Sequence, residues 1–350
     1  ARRRGCTRPP ENPVKHLRHF LFAIGIACAA PASAQNIASL PEAIAFANDL
    51  EQRQGFAAEQ LLAQMATLQT NPRVIQLMEP PATPGQRSWQ RYRARFIEPR
   101  RIQNGVRFWQ EHAATLARAR ALYGVPEEII VAIIGVETFY GRITGNFGVY
   151  EALATLAFQY PRRADFFRTE LEQFLLMSRE NGFDPLTIKG SFAGALGIPQ
   201  FMPGSLRRYA IDFDGDQRVD LANSVPDAIG SVARFLEQHG WQPGGTIAVP
   251  ARVQAESPVE SWLAAGIRPA LRAGDLLNAG LHAEIAPEHR VTLIDLVTPE
   301  QGTEYWLGLE NFYVITRYNR SSFYAMSVFQ LAEAIRAALP ETPPTQYSAR

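Results

Sequence analysis

One stretch of eleven residues, Ile129 to Phe139 (IIVAIIGVETF), constrains this chain more than any other. Ten of the eleven are uncharged, eight are large apolar residues or alanine, and the exception is Glu137. The rest of the chain has to be organised around such a run. A carboxylate embedded in it is costly when ionised, so its pKa is pushed upward. A carboxylic acid still protonated near neutral pH is what a general acid requires. The stretch alone leaves a second reading open, in which Glu137 turns to the surface at a helix end near Gly141 and does nothing.

The 350 residues, 46% apolar and 20% charged, are enough for two or three compact units of an ordinary soluble globular protein. The net charge of +1 hides an asymmetry. Residues 1–34 hold six basic residues and one acidic one, so the 35 basic and 34 acidic residues of the chain become 29 against 33 beyond them, about −4. That balance offers no electrostatic footprint for nucleic acid. The same 34 residues have the pattern of a cleaved secretory signal. Lys15 to His19 is basic, Phe20 to Ala30 is apolar, and Ala32-Ser33-Ala34 is the cleavage site, with Gln35 starting the mature protein. The apolar run is too short to span a membrane, and the stretch before Lys15, opening at Ala1, reads as an over-extended upstream frame. Cys28 as a lipid-attachment site fits less well than simple cleavage, because Gly25-Ile26-Ala27 lacks the usual leucine and small residue. Cys6 and Cys28 both fall in the discarded part, which leaves no disulfide and no thiol nucleophile.

The periodicity is helical over most of the chain. Ser39 reads as an N-cap with Pro41 entering the first turn of a helix to Gln54, followed by helices over 57–68 and 72–78. Pro80, Pro81, Pro84 and Gly85 make a break. The spacing predicts one long helix over 102–122, then the opening run, then helices over 151–160, 164–181, 227–239 and 321–339. From Gln242 the composition shifts, with strand patterns at 246–253, 291–296, 305–309 and a last one at 312–317.

Asp212, Asp214, Asp216, Arg218 and Asp220 alternate through DFDGDQRVD, an arrangement in which carboxylates and the Arg218 carbonyl can converge on one hard cation, calcium rather than zinc. The match to an EF-hand loop is partial, with Gln217 at the glycine position and Asn223 where the closing glutamate belongs, and Asp227 can supply that last carboxylate. A solvated acidic turn is the alternative. The histidines beyond residue 34 (His112, His239, His282, His289) lack zinc-ligand spacing, Gly190-Ser191-Phe192-Ala193-Gly194 is not G-x-S-x-G, and no phosphate-binding glycine loop follows a strand. Carboxylate chemistry remains. Glycosidases normally use two carboxylates, and the nearest in sequence, Glu151, is not in an apolar run.

The segments VPEEIIVAIIGVETFYGRITG, YPRRADFFRTELEQFLLMSRE, KGSFAGALGIPQFMPGS, DAIGSVARFLEQHGW and NFYVITRYNRSSFYAMSV resemble lytic murein transglycosylases of the B family, with little interruption from about Trp89 to Leu331. The resemblance implies a mainly α (α+β) protein: a helical domain over 35–125, a lysozyme-like catalytic core with a calcium loop over 126–242, a small β-containing insertion over 243–310, a return to the core over 311–340 and a tail at 341–350. It implies non-hydrolytic cleavage of the β-1,4 bond between N-acetylmuramic acid and N-acetylglucosamine, with a 1,6-anhydromuramoyl product. Glu137 would act as acid and then as base, and the substrate's acetamido group would replace the second carboxylate. Ser191, Gln200, Tyr92, Tyr318, Asn319 and Tyr324 would line the cleft, Arg162 and Arg163 would lie near peptide or muramoyl lactate, and Asp212, Asp214, Asp216, Arg218 and Asp227 would hold structural calcium, with no cofactor for catalysis. There are departures: Phe139 stands where some members have arginine, Phe235 where some have tyrosine, and Asp214 where serine is found. The implied setting is the periplasm and the implied partner is the glycan strand, with cell-wall synthesis or remodelling proteins besides, for a monomeric enzyme. A muramidase-type hydrolase and a non-catalytic, calcium-stabilised wall-binding scaffold are the competing functions.

Overall fold

The computed structural model describes residues 34–80, 87–299 and 301–340. The expected signal segment up to residue 33, the proline break at 81–86 and the tail at 341–350 lie outside the described residues.

A 3-10 turn at Ile37–Ser39 leads into α1 (Pro41–Gln54), α2 (Ala58–Met65) and α3 (Pro72–Met78). Then come α4 (Trp89–Arg93), α5 (Pro99–Glu111), α6 (Ala113–Tyr123) and α7 (Glu127–Thr138). A two-residue strand β1 (Phe147–Gly148) precedes α8 (Val149–Gln159) and α9 (Ala164–Asn181); its antiparallel partner β2 (Lys189–Gly190) precedes α10 (Pro203–Tyr209) and α11 (Val225–Gln238). The next stretch holds β3 (Ala248–Val253), α12 (Val259–Ala264), β4 (Leu271–Arg272), α13 (Ala273–Asn278), β5 (Leu281–His282), β6 (Arg290–Thr298) and β7 (Gly302–Gly308). The described chain closes with α14 (Glu310–Tyr318) and α15 (Ser322–Ala337). The described chain is mostly helical, with one five-stranded and one two-stranded sheet.

Three apolar cores organise these elements. Residues from α1–α3 (Leu50, Met65, Val74) share one core with α8 and α9 (Leu153, Phe167, Phe174). The second core is built around α7, where nine of twelve residues are buried. An apolar helix without a polar face can be stable only if neighbours cover it on every side. Here α5, α6, α11 and α15 do so, through Phe108, Leu116, Ile229 and Met326. The third core lies on one face of an antiparallel sheet of order β4-β6-β7-β3-β5, under Trp262 of α12 and Leu276 of α13.

Three local expectations fail. The segment 312–317, with its β-branched residues, is not a strand; it lies in α14, because Asn311, Phe312, Val314, Ile315 and Thr316 are buried together only at helical spacing. The long helix over 102–122 breaks at His112 (φ −116°, ψ 22°), where its ring tilts against Phe108. Ser39 does not cap α1. Leu40 takes that position, and the Ser39 hydroxyl donates to the carbonyl of Asn36.

Candidate active site

Glu137 sits in the last turn of α7, and that end is held with unusual care. Phe139 (φ 52°), Tyr140 (φ 63°) and Gly141 (φ 80°) are successive left-handed residues. Non-glycine residues adopt this conformation only when surroundings over-determine it. The N–H groups of Phe139 and Tyr140 donate back to Gly135 and Ile134, closing the helix in a Schellman-like turn. The Tyr140 phenol fits between two helices and donates to the carbonyl of Arg101 at 2.8 Å. It can do so because of two glycines: a Cβ on Gly135 would lie 2.7 Å from the phenol, and one on Gly105 would lie 2.6 Å from its oxygen. Thr138 donates to the carbonyl of Ile198 at 2.8 Å and accepts from the N–H of Gly141 at 3.0 Å. The end of α7 is thereby tied to the 189–205 loop.

At this fixed point Glu137 accepts a hydrogen bond from the Tyr324 hydroxyl at 2.6 Å. Burial pushes the Glu137 pKa up to about 7, and the Tyr324 bond opposes the rise. Burial, then the nearby Glu137 charge, raise the phenols of Tyr324 and Tyr318 well above their ordinary range, so both stay protonated donors. Tyr92 is raised by the same two causes. Tyr318 stacks on Tyr324 with ring centroids 6.5 Å apart and donates to the carbonyl of Pro199 at 2.6 Å. Phe235 stands behind it, 4.9 Å from the Tyr318 ring.

The 189–205 loop supplies the adjoining wall. Gln200 adopts φ 51° and donates to the carbonyls of Thr144 and Gly197, so its amide nitrogen spans the gap between loop and α7 exit. The Ser191 oxygen accepts from the N–H groups of Ala193 (3.3 Å) and Ala195 (2.9 Å), which turns its own proton outward as a donor. Asn319 is exposed at the end of α14 beside Tyr318, its side chain making no hydrogen bond to a described residue.

Tyr92, Tyr318 and Tyr324 are therefore gathered at Glu137, with Ser191 and Gln200 in the loop that closes against its helix. Arg162 and Arg163 are not among them. Arg162 lies 3.7 Å from Glu79, and Arg163 stacks 4.1 Å over the Phe166 ring. The other carboxylates with a claim are spent on structure: Glu151 accepts from the Asn71 amide at 2.6 Å, and buried Glu170 accepts from the N–H of Gly204 at 2.8 Å. Tyr140 and Thr138, which set where Glu137 points, were not singled out from the sequence. The available signal was glycine inside two helices, at 105 and 135, where close backbone approach is the usual reason.

The acidic loop is a separate construction. Asp212, Asp214 and Asp227 bring carboxylate oxygens within 4.8 Å of one another. Asp227 is 1% exposed, and its oxygens accept from the N–H groups of Phe213 and Asp220. Burial works against the Asp212 anion, but the N–H groups of Gly215 and Gln217 outweigh it and hold its carboxyl below the usual range. Gln217 takes φ 70°, the left-handed turn for which an EF-hand uses glycine. Asp216 stays outside the converging set, with its carboxylate accepting from the N–H of Arg218. All-oxygen donors at this separation fit a hard divalent cation.

Comparisons with known proteins agree with this picture. The model of the Transglycosylase SLT domain family matches residues 40–333. The chain is 44% identical over 314 residues to membrane-bound lytic murein transglycosylase B of Escherichia coli (strain K12), covering 87% of this chain and 85% of that protein. The soluble lytic transglycosylase SltB1 of Pseudomonas aeruginosa superposes with a TM-score of 0.79 at 47% identity, over 85% of this chain and 99% of that one. The Escherichia coli lytic transglycosylase Slt35, solved in complex with calcium, gives a TM-score of 0.76 at 43% identity, over 86% and 94%.

Proposed function

The chain belongs to the Transglycosylase SLT domain family and is a peptidoglycan lytic transglycosylase; from that premise we propose that Glu137 is its one catalytic carboxylate, acid in the first half of the reaction and base in the second. The reading rests on one observation above all, a half-buried carboxyl at the end of an apolar helix whose side-chain partner is the Tyr324 hydroxyl at 2.6 Å; desolvation there pushes its pKa up to about 7.

Glu137, protonated, gives its proton to the oxygen linking N-acetylmuramic acid C1 to N-acetylglucosamine C4. The C1–O bond breaks, and the electron pair leaves with that oxygen. The substrate's own 2-acetamido oxygen stabilises the cation at C1, the work a second carboxylate does in most glycosidases. The muramoyl C6 hydroxyl then attacks C1 and loses its proton to the Glu137 carboxylate, so the 1,6-anhydro ring forms and the enzyme is restored without water. A pKa near the working pH serves both halves. Tyr324 holds the carboxylate through its anionic stage and sets its rotamer. We assign Ser191, Gln200, Tyr92, Tyr318 and Asn319 to sugar contacts, with Ser191 donating and the Gln200 side-chain oxygen accepting; Arg162 and Arg163 lie farther along the strand, towards lactate or peptide.

Asp212, Asp214 and Asp227, with Asp216 and the Arg218 carbonyl as further candidates, hold a calcium ion that staples the loop to α11 and takes no part in the reaction. Among the described residues no helix is long and apolar enough to cross a membrane. We place the enzyme at the periplasmic wall, exported by the 1–34 segment, acting as a monomer on glycan strands beside wall-synthesis and remodelling proteins.

The test is a digest of purified sacculi with mass analysis of the muropeptides. The expected products are one water lighter than those of a muramidase. Hydrated products alone would make the protein a hydrolase, and binding without release would make it a scaffold.

A further inference from the structure

We propose that Arg100, Arg101 and Arg142 form an anion subsite beside the catalytic carboxyl that takes the free carboxylates of the stem peptide on the glycan strand; this rests on the peptidoglycan reading above. The three guanidinium carbons lie 5.4, 5.0 and 5.8 Å from the centroid of one ring, that of Phe139. Phe139 is two residues beyond Glu137 and is held in its left-handed conformation by the turn that ends α7. The cluster is continuous with the cleft on the other side as well. Arg101 also stacks 5.3 Å over Phe96, whose ring is 5.2 Å from that of Tyr92, and Tyr92 feels the Glu137 charge.

Three like charges gathered on one ring repel each other, and none of them is held in an ion pair among the described residues; the Glu98 charge acts on Arg101 from farther off. Among the described residues no carboxylate oxygen lies within 4.0 Å of any of the three guanidiniums. Glu98, the nearest acid to Arg101, spends both oxygens capping α5, accepting from the N–H groups of Arg100 (2.8 Å) and Arg101 (2.7 Å). Arg101 is half-buried, its terminal nitrogen donates to the Arg95 carbonyl, and its Nε is buried without a partner. Contact with an aromatic face orients guanidiniums without cancelling their charge. The planar fork of donors that remains suits a carboxylate better than any neutral sugar hydroxyl. Peptidoglycan offers that group in quantity on its stem peptides, and in peptide-free strands on the lactyl ether of muramic acid.

The experiment measures kcat/KM of the full chain on three strands: free-acid stems, stems with amidated carboxylates, and strands stripped of peptide. Wild type is expected to prefer free-acid to amidated stems by about tenfold, the order of one charge-assisted hydrogen bond, with a preference that shrinks as salt rises. The double variant Arg100→Gln/Arg142→Gln, changing exposed positions, should lose most of that ratio. A wild type indifferent to amidation, or a variant that keeps the full preference, overturns the proposal. Faster cleavage of stripped strands, lost in the variant, overturns it in favour of the lactyl carboxylate. Wild type inert on all three strands would instead bring down the functional reading itself.

Discussion

The end of α7 and the 212–227 loop hold the same chemical group in opposite ways. At α7 a single carboxyl is surrounded by apolar side chains and tyrosine rings, one hydroxyl donates to it, and desolvation wins: Glu137 is raised to about 7. In the loop three carboxylates crowd within 4.8 Å, yet backbone N–H groups point at them and hold Asp212 below its ordinary range. The first arrangement makes a proton carrier, the second a set of converging oxygen donors. A cluster of acids in a sequence is therefore a poor guide to proton chemistry. A solitary acid with no donors in its own segment is a better one, because burial has nothing to oppose it until the tertiary structure brings a partner.

Four measurements press on that contrast. Glu137→Gln removes the proton carrier and keeps the shape, so turnover of sacculi should fall by about 10³-fold with an unchanged circular dichroism spectrum; activity within tenfold of wild type would mean the proton comes from elsewhere. Chelation attacks the other pole. If calcium is bound at about a hundred times its Kd, removing it costs about 2.7 kcal/mol, and the melting temperature should drop by about 5 °C, whereas a melting curve indifferent to EDTA would leave the loop as a mere acidic turn.

The third measurement is stability against pH. The folded pKa of Glu137, about 7, lies above its ordinary 4.5. Between those values the folded state keeps a proton that the unfolded chain has released. This contribution is complete below the lower value and gone above the upper one, so stability falls as pH rises through the window. Glu137→Gln does not titrate. Relative to wild type it should gain about 2 kcal/mol on passing from acid to above neutral pH, after allowance for partial exposure, as read by denaturant unfolding at several pH values; parallel profiles would deny the burial effect. The smallest effect belongs to Tyr324→Phe. Its lost hydroxyl stabilised the anion, so the Glu137 pKa should rise further and carry the alkaline limb of kcat/KM upward by about one unit. A downward move would assign the hydroxyl to the protonated form.

Much of this molecule is written in local pattern. The predicted helix over 164–181 coincides with α9, and two of the alternating aspartates of the 212–220 turn, Asp212 and Asp214, converge with Asp227, while Asp216 does not. The acid in the apolar run was visible as soon as the run was. The largest misreading has a packing cause. Residues 312–317 carry strand propensity, but their burial beside α15 obeys a helical period; propensity is worth less than covering four side chains. The same holds at His112, where the helix yields to packing against Phe108.

The sequence by itself determined that a helix at 129–138 would be buried, that one carboxyl sits at its end, and that an acidic turn would follow elsewhere in the chain. These are consequences of composition over one or two turns, where transfer free energy acts residue by residue. Only the tertiary structure decided that Tyr324, 187 positions away, donates to that carboxyl. It alone decided that Tyr140 wedges between Gly105 and Gly135 to set its direction, and that three arginines meet on Phe139 with none of them in an ion pair among the described residues. Hydrogen bonds and ring contacts require ångström placement of groups remote in sequence, and that placement is set by how whole helices pack, which no local window contains.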